Sequence, residues 1–478
     1  MKGPSSRFYS SLLLLLVLNG VIKPVWIFVI DRQVQNEVGF AAYGDYFAVL
    51  SLSVVFSFLL DLGLGTYLNR QLAYSGGSAT ENAGGILLLK LGLALLYMLL
   101  VLGTALATGV ERMDLVLAVV LVQVFTSFFL FFRSIITALQ YFRADAWLSV
   151  FDKTVMILLC GALLFFPAVF GKITVKNFLW LQVASTFAAT LLAAGLAWKK
   201  GFRFDGLSPR LQKLLARAWP YALIVLLMSV HNRFDGFLLE RMQDNQEAGV
   251  YASAYRLLDA ANMVGYLFAS FLLPFTARML GKKIDISPVM LRIRHILLGF
   301  SIGVVMISSF LASWLYTLLY PGADPTGIIV LQWCLPALIG YALIQVYGTV
   351  MTAAGNMRAF CLITLAAVAL NVMLNISLVP SMGAQGSCIA AICSQSACGL
   401  AAAIYVHRKM GLRAGAGSIG VYLLLALMLG SWFYAGNLAG FSPPCLIAAA
   451  VVLAGILLFI TKLFRPSDFI RLLSGPAS

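Results

Sequence analysis

Apolar residues along this chain gather into runs of about 20, set apart by short polar segments. That is the length a helix needs to cross ~30 Å of hydrocarbon at 1.5 Å per residue. Six runs, 11–30, 44–68, 84–108, 113–136, 147–170 and 175–198, precede a basic stretch. Six more, 218–240, 250–276, 295–320, 326–354, 357–380 and 384–407, follow it, and 418–436 and 445–464 close the chain. Backbone groups inside a bilayer must be satisfied within the segment, so the pattern predicts an all-α integral membrane protein with about 14 transmembrane helices. No intervening loop is long enough for a soluble domain. Function is therefore expected inside the helices or at their mouths, and a membrane-anchored enzyme with a catalytic head is excluded.

The halves echo one another. Ala248-Gly249-Val250-Tyr251 repeats the Gly and Tyr spacing of Tyr43-Gly44-Asp45-Tyr46, each at the start of a long apolar helix. The expected organisation is an N-lobe over 1–200, a basic linker over 201–217, a C-lobe over 218–410, and two further helices with a tail over 411–478.

Composition agrees: of 478 residues, 61% are hydrophobic and 11% charged, where a globular protein carries about 25% charged. The net charge of +15 would suggest nucleic acid in a soluble protein. Here the basic residues fall in alternate loops, so they read as orientation, and no nucleic-acid partner is expected. Arg70, Arg143, the 199–217 stretch, the 278–294 stretch, Arg358, 408–413 and 462–471 mark one side, with the N-terminal Lys2 and Arg7. The positive-inside rule makes that side cytoplasmic, with both termini inside. Arg7 precedes an apolar run as in a signal peptide, but no small-residue cleavage site follows, so the run reads as a retained first helix. The 7 cysteines lie in or beside apolar runs without CxxC spacing, which reads as packing rather than metal ligation or disulfides. Neither metal nor cofactor is expected.

The stretch EVGFAAYGDYFAVLSLSVVFSFLLDLGLGTYLNRQ resembles the opening of Wzx-like polysaccharide flippases in the multidrug/oligosaccharidyl-lipid/polysaccharide (MOP) exporter superfamily. Three later stretches fit the same family: RFDGFLLERMQDNQEAGVYASAYRLL resembles its seventh and eighth helices, Ala354-Gly355-Asn356-Met357-Arg358 its turn after the tenth, and MGAQGSCIAAICSQ the entry into its twelfth. The resemblance implies two six-helix lobes around a central cavity, alternating access, and a polyprenyl-diphosphate-linked oligosaccharide as substrate. It implies residence in the inner (plasma) membrane, contact with membrane lipids, and polysaccharide polymerase and assembly proteins as further partners.

Such a substrate asks for fixed positive charge near a polar cavity. Lys23 shares a face with Asn19 beside Pro24, a predicted kink, and lies about 18 Å along its helix. With Arg233 and Arg256 it forms the expected cationic cluster for the diphosphate, since an ionisable group at that depth reads as functional. A second group toward the cytoplasm holds Lys90, Arg133, Lys153 and Arg70 as further substrate contacts. Asp61, Asp235 and Asp259 are the candidates for gating or ion coupling. The competing expectation for Lys23 is a pair with Asp31 or with a neighbouring helix, and for Arg256 an internal pair with Asp259 three residues on. Asn371, Asn375, Gln332, Tyr341, Gln345 and Tyr347 are expected to make interhelical hydrogen bonds, with sugar contact as the competing expectation, and His231 to be a packing histidine. Lipid II flipping is the nearest alternative. Export of small cationic drugs would require cavity acids to outweigh cations, and an enzyme would require an interfacial His/Asp constellation; the sequence offers neither.

Overall fold

The computed structural model describes residues 14–15, 17–62, 64, 83–110, 112–139, 141–199, 211–281, 285–321, 324–413, 415 and 417–460. These residues are helical with short connections, and no strand occurs among them. We number the long helices α1 (17–38), α2 (Phe40–Leu60), α3 (Ala83–Ala107), α4 (Met113–Ala138), α5 (Phe142–Phe165), α6 (Val175–Lys199) and α7 (Leu211–Met242). The remainder are α8 (Asn245–Gly281), α9 (Ser287–Leu319), α10 (Thr326–Ala353), α11 (357–382), α12 (384–409), α13 (Ser418–Leu438) and α14 (Pro443–Ile460). Ten helices among the described residues, with Met357–Lys409 taken as one, are long and apolar enough to span a bilayer.

The 53 residues of Met357–Lys409 would reach about 80 Å if straight, more than twice the hydrocarbon core. They divide at Gly383, whose φ of 54° and ψ of −135° leave the helical region, just after Pro380. Asn371 then donates to Ser394 Oγ at 3.1 Å and Ser387 to Asn375 Oδ1 at 2.8 Å. The falling partner numbers mark antiparallel neighbours, α11 against α12.

Contacts cluster the chain into two units, Met1–Gly249 and Val250–Ser478. In the first, α4 packs on α6 and α2 on α7, so α7 groups with the six helices before it. The connection from α1 to α2 is a single residue, Gly39, at a φ of 84° that favours glycine. The helix thus continues through Asp31, Arg32 and Glu37, in the polar interval between the apolar runs 11–30 and 44–68. In α1 a wide π-type segment, Val25–Asp31, follows Pro24, the local adjustment that a helix makes where proline removes a donor.

The echo between Gly44 and Gly249 has a physical basis within the first unit. A Cβ on Gly44 would overlap the Asn245 carbonyl, and one on Gly249 the Phe40 carbonyl. Each glycine therefore lets the other segment's backbone approach, and Gln35 Nε2 seals the crossing by donating to the Gly249 carbonyl at 3.0 Å.

In the second unit α13 and α14 pack on α9 through Leu425, Leu429, Phe433 and Leu446, with Ile302 and Leu311 from α9. α9 begins at Ser287, two turns before its apolar run. Arg294, counted in sequence as a loop charge, is consequently 7% exposed. Its guanidinium donates to Tyr347 Oη at 3.0 Å, to the Gly415 carbonyl at 3.3 Å and to Ser418 Oγ at 3.3 Å. Tyr347 Oη also meets His407 Nε2 at 3.0 Å, and Tyr422 Oη meets His295 Nδ1. One buried cation thus ties α9, α10, α12 and the start of α13 together.

Candidate functional site

The first unit carries most of the expected charges. Lys23 is half-buried on α1, one residue before Pro24. Its electrostatic neighbours are Arg133 of α4 and Asp152 and Lys153 of α5. Two groups that the sequence placed at different depths therefore meet here. α1 is fixed against α5 by Asn19 Nδ2, which donates to Ser149 Oγ at 2.7 Å, a buried bond that orients the face carrying Lys23 one turn further along.

The neighbours are largely neutralised in place. Arg133 Nε donates to Asp145 Oδ1 at 2.7 Å, and its guanidinium lies 5.6 Å from the Phe129 ring centroid. Lys153 Nζ is 3.3 Å from Asp152 Oδ2 and 5.1 Å from the Trp26 ring. Asp31, the alternative partner for Lys23, is buried and accepts a hydrogen bond from Tyr43 Oη at 3.0 Å. Lys23 makes no hydrogen bond or ion pair among the described residues. The group can attract an anion: one ammonium with no hydrogen bond or ion pair among the described residues, two cations whose carboxylates could be shared, and low-dielectric walls that strengthen any charge-assisted bond.

Lys90 occupies a different setting. Its side chain, with the residue 0% exposed, donates to the Leu60 carbonyl at 2.7 Å, Ser127 Oγ at 2.7 Å and Asp61 Oδ1 at 3.2 Å. The rings of Phe128 and Phe131 lie 5.6 and 5.5 Å from its nitrogen. All three ammonium protons are committed. Asp61 keeps 44% of its side chain exposed, so the pair has one dry and one wet partner.

On α7, Arg233 is half-buried, Asp235 is 2% exposed and His231 1% exposed, and each engages neighbours within the protein. Arg256 and Asp259 lie half-buried on α8 in the second unit and are likewise engaged. Arg70 falls outside the described residues. Sequence reasoning passed over the polar face of α4, where Gln123, Thr126, Ser127 and Ser134 recur at helical spacing. The signal was present as a helical-period stripe inside a strongly apolar run.

Among the described residues of the first unit, two clefts carry polar linings. One, ≈ 300 Å³, is lined by charged groups including Asp45, Arg112, Glu240 and Arg241. The other, ≈ 320 Å³, is lined by Ser57, Asp61, Gln123, Thr126, Ser127 and Ser134 with apolar neighbours. No group of three or more candidate metal ligands occurs among the described residues, and all seven cysteines are free thiols.

Known proteins share this architecture. A structure described as lipid II flippase MurJ in an inward closed conformation superposes with a TM-score of 0.71 at 13% identity, over 96% of this chain and 100% of the other. An inward-facing MATE-family multidrug resistance transporter of the MOP superfamily gives a TM-score of 0.61 at 16% identity, over 83% and 98% of the two chains. A MOP-superfamily transporter from Pyrococcus furiosus gives 0.56 at 14% identity, over 85% and 95%. At these identities the likeness is one of fold. No curated protein matches the chain in sequence. Residues 9–280 do match a family described as polysaccharide biosynthesis protein, more than half of the 478 residues. The chain is therefore a multi-pass membrane protein with the fold of these MOP-superfamily structures, and it belongs to the polysaccharide biosynthesis protein family.

Proposed function

We propose that the protein is a flippase that moves polyprenyl-diphosphate-linked oligosaccharide repeat units from the cytoplasmic to the outer leaflet of the plasma membrane, by alternating access, for cell-envelope polysaccharide such as O-antigen. The observation that carries this reading is Lys23, an ammonium on α1 with no hydrogen bond or ion pair among the described residues and with Arg133, Asp152 and Lys153 as its electrostatic neighbours. A charge left without a partner at such depth is costly unless function uses it. A diphosphate supplies several acceptor oxygens, enough to engage Lys23 and to share Arg133 and Lys153 with their carboxylates Asp145 and Asp152. Arg233 and Arg256 complete the proposed cationic path, with Arg70 toward the cytoplasm. Asp61, Asp235 and Asp259 are the proposed gating or ion-coupling acids, and Lys90 acts with Asp61 rather than on substrate directly. In this reading 1–200 and 218–410 are the moving lobes and both termini are cytoplasmic.

The test is complementation of cells lacking an O-antigen flippase, scored by surface polysaccharide at matched membrane abundance. Rescue by the natural chain and its loss in Lys23→Ala, Arg233→Ala and Arg256→Ala is the expected result. Full rescue by all three variants would remove the cationic path. A second reading, lipid II flipping, is favoured by the superposition over 96% of this chain on a lipid II flippase. Growth restored to lipid II flippase-depleted cells, without O-antigen rescue, would select it.

A further inference from the structure

The ≈ 320 Å³ cleft between the end of α2 and α4 is separate from the Lys23 group and has the opposite chemistry. Its wall on α4 is a stripe. Gln123, Thr126, Ser127, Leu130 and Ser134 fall within about 100° of arc at 3.6 residues per turn. They do so in the most apolar of the ten candidate spanning segments. Side chains of that kind facing lipid would each carry a desolvation cost with no return.

The three serine hydroxyls lining this cleft have already committed their protons. Ser57 Oγ donates to the Val54 carbonyl at 2.7 Å, Ser134 Oγ to the Phe131 carbonyl at 2.7 Å, and Ser127 Oγ to the Leu60 carbonyl at 3.1 Å. Each therefore faces a ligand chiefly as an acceptor, and the exposed Asp61 carboxylate accepts only. Gln123 and Thr126 make no hydrogen bond among the described residues and offer both donors and acceptors. An anion is disfavoured at such a wall. A free cation is disfavoured too, because the Lys90 ammonium already sits on the Leu60 carbonyl, Asp61 and Ser127. What remains is a neutral ligand rich in hydroxyl donors. The volume falls at the lower end of the roughly 300–1,000 Å³ usual for ligand pockets.

We infer that this cleft is a glycan subsite, which binds sugar hydroxyls of the lipid-linked substrate while its diphosphate is held elsewhere by cations. The inference rests on the flippase reading and assigns the carbohydrate part of that substrate to Gln123, Thr126, Ser57, Ser134 and Asp61. Apolar Leu130 in the lining meets the C–H face of a sugar ring.

The experiment uses the full chain in lipid nanodiscs, free of sugar-headed detergents. Affinities are measured for two probes, undecaprenyl diphosphate and undecaprenyl-diphosphate-linked N-acetylglucosamine. The natural chain is expected to bind the sugar-bearing lipid about tenfold more tightly, the scale of two neutral hydrogen bonds. The double variant Gln123→Leu/Thr126→Val is expected to bind both lipids equally, with affinity for the sugar-free lipid unchanged, and Thr126→Ser to keep the preference. Equal binding of the two lipids by the natural chain, or a preference undiminished in the double variant, overturns the inference. Binding of neither lipid overturns the flippase reading itself.

Discussion

Removing either partner of the Lys90–Asp61 pair deletes the same contact, yet the two removals have different consequences. Lys90 is completely buried whereas 44% of the Asp61 side chain is exposed, and the charges are 3.2 Å apart. Unit charges at that distance attract by about 5 kcal/mol at an effective dielectric of 20 and about 1 kcal/mol in water. Asp61→Asn leaves a buried ammonium with neutral acceptors only, and the half-wet partner sets the expected loss at ~1–3 kcal/mol. Lys90→Met removes the buried charge together with its desolvation cost and roughly conserves volume. The Leu60 carbonyl retains the Ser127 hydroxyl, and Asp61 turns to water, so the expected loss is under ~1 kcal/mol. Adding Lys90→Met to Asp61→Asn should then recover most of the lost stability. Thermal midpoints from size-exclusion fluorescence at one heating protocol would resolve the difference, at about 2–4 °C per kcal/mol for a domain of 150–250 residues. If Lys90→Met lowers the midpoint as far as Asp61→Asn does, the asymmetry argument is refuted.

Three further outcomes follow from packing and hydrogen bonding. Gly249→Ala forces a Cβ into the Phe40 carbonyl and should cost ~1–3 kcal/mol or more, read as a loss of monodisperse protein that Ala248→Gly does not share. Arg294→Ala removes bonds to Tyr347, Gly415 and Ser418, among others, at ~2–4 kcal/mol. Proteolysis in the 410–417 connection should accelerate, and an unchanged cleavage rate would mean that Arg294 does not hold α13. Outside the membrane segments, hydrogen bonds from Ser287 hold the Asp285 carboxyl below its usual value at the start of α9. A depressed carboxylate stabilises above its unfolded pKa of about 4 and loses that contribution as pH falls through the folded value. Asp285→Ala should therefore lower the midpoint at pH 7, and its difference from the natural chain should shrink as pH falls below about 4.

The helices were legible because crossing hydrocarbon imposes a length and a hydropathy that a single sequence displays. Their ends were less so. Arg294 looked like a loop charge because hydropathy averages over a window, and only tertiary partners on α10 and α13 make its burial affordable. The Tyr-Gly repeat at Gly44 and Gly249 was visible in sequence, but the reason for it, two backbones meeting where no Cβ fits, belongs to the fold. Lys23 stood out by depth alone. Its meeting with Arg133 and Lys153 was not legible, since the three lie on α1, α4 and α5 and nothing local specifies which helix faces pack. Lys90 shows the converse: an equally deep lysine whose protons are taken by Leu60, Asp61 and Ser127, groups far from it in sequence.

The central claim is translocation of a lipid-linked glycan, and a leaflet-resolved assay in proteoliposomes tests it most directly. Purified protein is reconstituted with a fluorescent polyprenyl-diphosphate-linked oligosaccharide in both leaflets, and a membrane-impermeant glycosidase is added outside. With the natural chain the protected inner pool should be consumed, whereas Lys23→Ala vesicles should retain it. An inner pool that persists equally with the natural chain, with Lys23→Ala and in protein-free vesicles would contradict the account.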